Sequence, residues 1–203
     1  LRTRLNYLRT SFAVQCIDHF STLHDQNDTS EPVSKALQLN WGAALNMKAL
    51  DAALRSLRAL KSWEHASSRG AMQALDWRPC RAVARALGYK RHPLTIHVAG
   101  SKGKGTVCAL VGAALDRAGY KVGVVTSPHT YHFGERLRIG MRPAGDALAP
   151  HLQRAVDVIL DARRCNDAVL GAATQFDAFV AAALKAAQKC DAVVVEVGLG
   201  GKQ

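Results

Sequence analysis

Residues 97–106 read HVAGSKGKGT, three glycines and two lysines in a turn between two apolar runs. Neither residue type favours a packed core at that density. A glycine-rich turn lets backbone N–H groups close in on an anion while a lysine supplies the balancing charge, so the chemistry this pattern serves is phosphate binding. The candidate phosphate-binding residues are Gly100, Ser101, Lys102, Gly103, Lys104, Gly105 and Thr106, with the Thr106 hydroxyl placed to face a metal or a phosphate oxygen. The spacing departs from the common GxxxxGK[ST] loop. The leading glycine is Gly100, four before Lys104, and Gly105 separates Lys104 from Thr106. A plain glycine-rich connection between a strand and a helix is the alternative reading of this stretch taken alone.

Two other stretches carry groups of the same kind. In TSPH (126–129) a proline stiffens a turn that presents the Ser127 hydroxyl and the His129 imidazole. In EVGLGG (196–201) the carboxylate of Glu196 ends a valine run, where an acid either holds Mg²⁺, directly or through water, or simply faces solvent.

These groups need elements to bring them together. LTIHVA (94–99), KVGVVT (121–126) and DAVVVEV (191–197) read as short strands, and 106–119 reads as a helix ending at Gly119. Strand, glycine turn, helix and strand make a βαβ unit, and near-continuous valine indicates strands covered on both faces. Further helices are predicted at about 147–164 and 174–189. The second half is therefore read as a doubly wound α/β sheet, in which ligands bind at the carboxyl ends of the strands. All three stretches fall at such ends. Upstream, Leu50, Leu54, Leu57 and Leu60 recur at helical spacing from Met47 to about Trp63, and Pro79 to Leu87 reads as a second helix with Gly88 just past its end.

Composition narrows the classes. The 203 residues suffice for one domain with a core and an appended segment, and a net charge of +11 suits a polyanionic partner. Aromatic residues are not interleaved with the basic ones, so a nucleic-acid partner is not expected. Cys16, Cys80, Cys108, Cys165 and Cys190 show no CxxC spacing, which suggests neither a zinc site nor a disulfide framework. No apolar run approaches the roughly 20 residues that span a bilayer, so no membrane partner is expected. The first residues carry Arg2, Arg4 and Arg9 with no acid before Asp18, and Leu5, Leu8 and Phe12 at helical spacing. That is the pattern of an organellar presequence, with an ordinary basic surface helix as the alternative. Residues 21–40 read as a polar loop or linker. The expected divisions are 1–40 as extension, presequence or linker, 41–93 as a helical amino-terminal part, and 94–203 as a P-loop domain.

Taken together, HVAGSKGKGT, AGYKVGVVTSPHTYHFGERLRIG, TQFDAFVAAALKAAQ and VVVEVGLGG resemble, in order and spacing, the folylpolyglutamate synthase and dihydrofolate synthase family of the Mur ligase superfamily, over roughly residues 75–201. That family uses a short G-[TS]-x-G-K-G-[ST] loop, and TSPHxxxFxERxRI is specific to it. The resemblance implies an α/β fold with a phosphate-loop-containing parallel sheet and flanking helices, a truncated Mur-ligase-like ATPase domain preceded by a helical segment. It implies an ATP- and Mg²⁺-dependent ligase that adds L-glutamate to a folate or dihydropteroate carboxylate through an acyl phosphate. Lys104 and its loop would hold ATP, Ser127 and Glu196 would be magnesium ligands, and His129, Phe133, Glu135 and Arg136 would lie near the folate pocket. A cytoplasmic, mitochondrial or plastid monomer is expected when full length.

Two local departures from the family pattern are Thr174-Gln175-Phe176-Asp177 in place of a TFFE-type stretch, and Gly140 where an asparagine is usual. The family pattern also continues past GLGG into a further metal-binding histidine and a glutamate-binding domain. An amino-terminal fragment, a truncated gene model or a degenerate copy is therefore expected, and ligation by these 203 residues alone is not. The alternatives are a non-catalytic nucleotide-binding or partner-binding derivative and a ligase for another carboxylate, such as a peptidoglycan precursor; FxERxRI after TSPH argues against the latter.

Overall fold

The structure is a computed structural model that describes residues 48–62, 76–92 and 94–198. All of these fall in one compact unit, Ala44–Gln203. The readings of residues 1–40, of Trp63 and of the glycines from 199 onward lie outside the described residues.

Helix α1 (Lys48–Leu57) buries Leu50, Ala53 and Leu57, the stripe that the leucine spacing predicts. Helix α2 (Arg78–Ala86) starts with Pro79 in its first turn, where a missing N–H costs nothing, and buries Val83 and Ala84. The chain then enters β1 (Thr95–Val98), passes through the glycine loop into α3 (Lys104–Arg117), and returns as β2 (Val122–Val125). After a short 3-10 turn (Phe133–Arg136) come β3 (Leu137–Ile139) and β4 (Arg142–Pro143). Helices α4 (Gly145–Arg164) and α5 (Gln175–Ala186) lead to the last strand, β5 (Ala192–Glu196).

The sheet order is β1-β5-β2-β3-β4. Strand β5 lies between β1 and β2 and is parallel to both, which is the parallel sheet expected from the valine runs. The structure departs from an all-parallel sheet at one side, where β3 and β4 add antiparallel strands beyond β2. They are joined through Gly140 and Met141, at φ 55° and 60°. Two successive residues in the left-handed region are what a tight two-residue hairpin requires, and glycine and asparagine tolerate that conformation best. Glycine in place of the family's asparagine at 140 thus preserves the turn.

The two faces of the sheet are covered differently. On one, Val125, Leu137 and Val193 join a core with Leu50 and Leu57 of α1, Val83 of α2, Leu148, Leu152 and Ile159 of α4, and Phe179 of α5. Fully burying each large aliphatic side chain contributes about 1.5–3 kcal/mol. On the other face lies α3, close enough that a Cβ at Gly112 would stand 2.6 Å from Val124. His92, 5% exposed, straps the approach to β1 against β5 by donating from Nε2 to the carbonyl oxygen of Cys190 at 2.6 Å. Among the described residues, no helix is long and apolar enough to cross a membrane.

Candidate functional site

Register places the chemistry. Glu196, the last residue of β5, pairs with Val98, the last of β1, and Val125 pairs with Val195. The Glu196 carboxylate therefore emerges between the glycine loop that follows β1 and the turn that follows β2. Its Oε2 accepts a hydrogen bond from the Ser127 backbone N–H at 3.0 Å. On the other side, a Cβ built on Gly105 would lie 3.6 Å from Oε2 and 3.9 Å from Oε1. A single carboxylate thus stands between the two loops, while its Oε1 has no hydrogen-bond partner among the described residues.

The glycine loop ends as the uncapped start of a helix. Gly103 occupies the N-cap of α3 at φ 74°, a left-handed conformation that favours glycine, and no side chain caps the helix. The first-turn N–H groups are left for an anion, where the helix dipole also favours negative charge. Lys104 is the first residue of α3.

These parts face a cleft of about 540 Å³ lined by Ser101–Thr106, Thr126–Thr130, Glu135, Arg138 and Glu196. Of the residues expected from sequence, it gathers Ser101, Lys102, Gly103, Lys104, Gly105, Thr106, Ser127, His129, Glu135 and Glu196. Gly100 lies just before this lining, on the approach to the loop. Phe133 and Arg136 part company with the others. They line a second, much smaller cavity of about 20 Å³ with Leu57, Gln175, Phe176 and Phe179.

Glu135 and Arg136 are spent largely on building the loop. The Glu135 side chain, in a residue only 6% exposed, accepts from the backbone N–H groups of Thr130 (3.2 Å), Tyr131 (3.2 Å) and His132 (2.9 Å). Arg136, 3% exposed, donates from Nε to His129 Nδ1 at 3.0 Å, and its guanidinium carbon lies 4.6 Å from the Phe133 ring centre and 5.5 Å from that of Phe179. The Ser127–Pro128 peptide in this loop is cis.

Thr126, Thr130 and Arg138 also line the cleft, although the sequence analysis assigned none of them a role. Arg138 had a signal, as the second arginine of the FxERxRI stretch. In the strand LRI, alternation sends it to the face opposite Leu137 and Ile139.

The thiols around this framework are held protonated. Burial, followed by the charge of Glu196, pushes Cys108 up to about 11, and burial, followed by Asp177, pushes Cys80 up to about 12. Burial also raises Cys190, with Lys121 opposing the rise and Asp191 adding to it. Cys165 is exposed. Because the thiolate is the nucleophile, iodoacetamide at about pH 8 should label Cys165 well before Cys80, Cys108 or Cys190. Peptide mapping by mass spectrometry reads the order, and early labelling of Cys108 would contradict the packing of α3 against the sheet.

A lysine-bearing glycine loop between a parallel strand and a helix, faced by a hydroxyl residue and a carboxylate from neighbouring strand ends, defines a phosphate-loop α/β fold. No family model matches the chain. It is 38% identical over 124 residues to the dihydrofolate synthase/folylpolyglutamate synthase of Escherichia coli, a match covering 59% of this chain and 27% of that protein. The solved structure of E. coli FolC in complex with DHPP and ADP superposes with a TM-score of 0.56 at 31% identity, over 75% of this chain and 34% of that one. The folylpolyglutamate synthase of Thermotoga maritima superposes with a TM-score of 0.61 at 25% identity, over 77% and 34%. The chain is related to the folylpolyglutamate synthase/dihydrofolate synthase family, and it spans about a third or less of the length of these relatives.

Proposed function

We propose that the cleft binds MgATP, and that the protein ligates L-glutamate to a folate or dihydropteroate carboxylate. The observation that carries this reading is Glu196, whose carboxylate lies against Gly105 of the lysine loop and is bonded to Ser127. The names of the relatives, and the ADP in the E. coli complex, supply the chemistry that such a cleft would serve.

In this reading the N–H groups of Ser101–Thr106 and the Lys104 ammonium hold the phosphates. The available donors fit Mg²⁺. It is a hard cation that prefers oxygen and is bound through one or two carboxylates together with substrate phosphates; Glu196 offers the carboxylate, and the hydroxyl residues Ser127 and Thr106 line the same cleft. When bound, the ion neutralises charge on the transferring phosphoryl group. A carboxylate oxygen of the acceptor attacks the γ-phosphorus, the bond to the ADP oxygen breaks, and ADP departs with that electron pair. The glutamate amine then attacks the carbonyl carbon of the acyl phosphate, inorganic phosphate leaves, and the amine gives up a proton to form the amide. Free carboxylate would not react with an amine. His129, Phe133, Glu135 and Arg136 serve the acceptor side, with Glu135 and Arg136 shaping the loop rather than taking part in a chemical step.

The metal assignment has its own expected result. Glu196→Gln should weaken ATP binding in the presence of Mg²⁺ and leave metal-free binding nearly unchanged, as titration calorimetry would show. Equal losses with and without the metal would mark Glu196 as structural. The ligase reading is tested by incubating the gene's full-length product with ATP, glutamate and either dihydropteroate or a reduced folate. ADP should appear in step with glutamyl addition. Mass spectrometry then separates one addition to dihydropteroate, the synthase, from serial additions to folate, the polyglutamating activity. Neither product, with ATP bound normally, would overturn the substrate assignment.

A further inference from the structure

We infer that Arg138 receives the carboxylate of the acceptor, an inference that rests on the ligase reading above. Arg138 sits on β3, paired with Val124 of β2. Paired residues share a face of the sheet, and Val124 lies on the α3 side, against Gly112. By the same register, Val124 pairs with Val194, and Glu196 lies two residues further along β5. Arg138 and Glu196 therefore project from the same face toward the same cleft.

Their positions along the sheet differ in a way that assigns them different partners. The lysine loop follows β1, Glu196 ends β5, Ser127 follows β2, and Arg138 belongs to β3. At about 4.8 Å per strand, β3 stands roughly 14 Å from β1 and about 10 Å from β5. Lys102 and Lys104 thus supply positive charge at one end of the cleft, and Arg138 supplies it at the other.

Neither acid of the cleft pairs directly with it. Glu135 is engaged by three backbone N–H groups and Glu196 by the Ser127 N–H. Among the described residues, no hydrogen bond or ion pair engages the Arg138 guanidinium, although the residue is half-buried. A partly buried cation that no carboxylate among the described residues pairs with directly, at the end of the cleft away from the phosphate loop, is suited to a substrate anion.

The proposed reaction needs such a cation. The acceptor carboxylate must approach the γ-phosphate, and the two anions repel each other. A guanidinium fixed on the acceptor side offsets that repulsion, and its planar pair of N–H donors matches a carboxylate. Arg138 is then a substrate-contacting residue of the acceptor side.

The test compares Arg138→Gln and Arg138→Lys with the wild-type chain in binding MgADP, pteroate and pteroate methyl ester. In wild type the free acid should bind better than the ester. In Arg138→Gln, acid binding should weaken about tenfold or more, ester binding and MgADP binding should hold within about twofold, and the acid-over-ester preference should vanish. Arg138→Lys should restore part of that preference. A loss of MgADP affinity as large as the loss for pteroate would assign Arg138 to the nucleotide and overturn the inference. So would an unchanged acid-over-ester preference in Arg138→Gln. A wild-type chain that binds MgADP and neither form of pteroate would overturn the substrate reading itself, and this inference with it.

Discussion

Replacing Lys104 with alanine is expected to weaken ATP binding by about tenfold to a hundredfold. Hydrogen bonds to charged groups contribute about 1.5–3 kcal/mol each, and the Lys104 ammonium is proposed to make such a contact with the phosphates. The loss should appear as binding energy rather than as unfolding. Lys104 is the first residue of α3, its side chain borders the cleft, and alanine forms helix at least as well. The remaining contacts, first-turn N–H groups beyond the left-handed Gly103, are backbone and survive the change. Calorimetric titration of both proteins with MgATP reads the difference directly. Equal affinities would show that the Lys104 ammonium makes no contact with the phosphates.

Glu135→Ala should instead unfold the protein more easily, by about 3 kcal/mol or more. The Glu135 carboxylate is the acceptor for three consecutive backbone N–H groups, those of Thr130, Tyr131 and His132. Truncation removes bonds to a charged acceptor and leaves the His132 N–H, at the start of the 3-10 turn, without its capping partner. For a domain of this size, each 1 kcal/mol shifts the melting temperature by roughly 2–4 °C, so a fall of about 6–12 °C is expected in a calorimetric scan. Glu135→Gln should lose less, because an amide oxygen can still accept. A residue used only to touch substrate would leave the melting temperature unchanged in both variants.

The contrast between these two residues shows what sequence could convey. The strands were legible because Val122–Val125 and Ala192–Glu196 are valine-rich, largely buried runs bounded by turn signals. The loop was legible because glycine and lysine at that density have few other uses. The hairpin of β3 and β4 was not foreseen, because strands of three and two residues are too short to show a period. The role of Glu135 was equally hidden: its partners are backbone amides, and a backbone amide leaves no mark in a sequence.

Thr174-Gln175-Phe176-Asp177 shows the reverse case. Compared with the family pattern it is a departure at a pocket, but read for local physics it is a helix start. Thr174 Oγ1 accepts from the Asp177 N–H at 3.3 Å, and Asp177 Oδ2 accepts from the Thr174 N–H at 2.9 Å, a reciprocal capping box at the head of α5. Gln175 then donates from Nε2 to the Leu60 carbonyl oxygen at 2.9 Å, tying α5 to the chain that leaves α1. The substitution keeps the cap and moves the specificity question to Gln175 and Phe176, which line the small cavity beside Arg136.

Nucleotide phosphates are proposed to sit where the ends of β1, β2 and β5 converge. Amide chemical shifts of the isotopically labelled protein, followed by NMR as MgATP is added, test it most directly. Saturable shifts are expected at Gly103, Lys104, Gly105 and Thr106 and at Ser127, whose N–H reports on Glu196, with adenosine alone moving these amides far less. Nucleotide binding that leaves these amides unmoved while shifting others would contradict it.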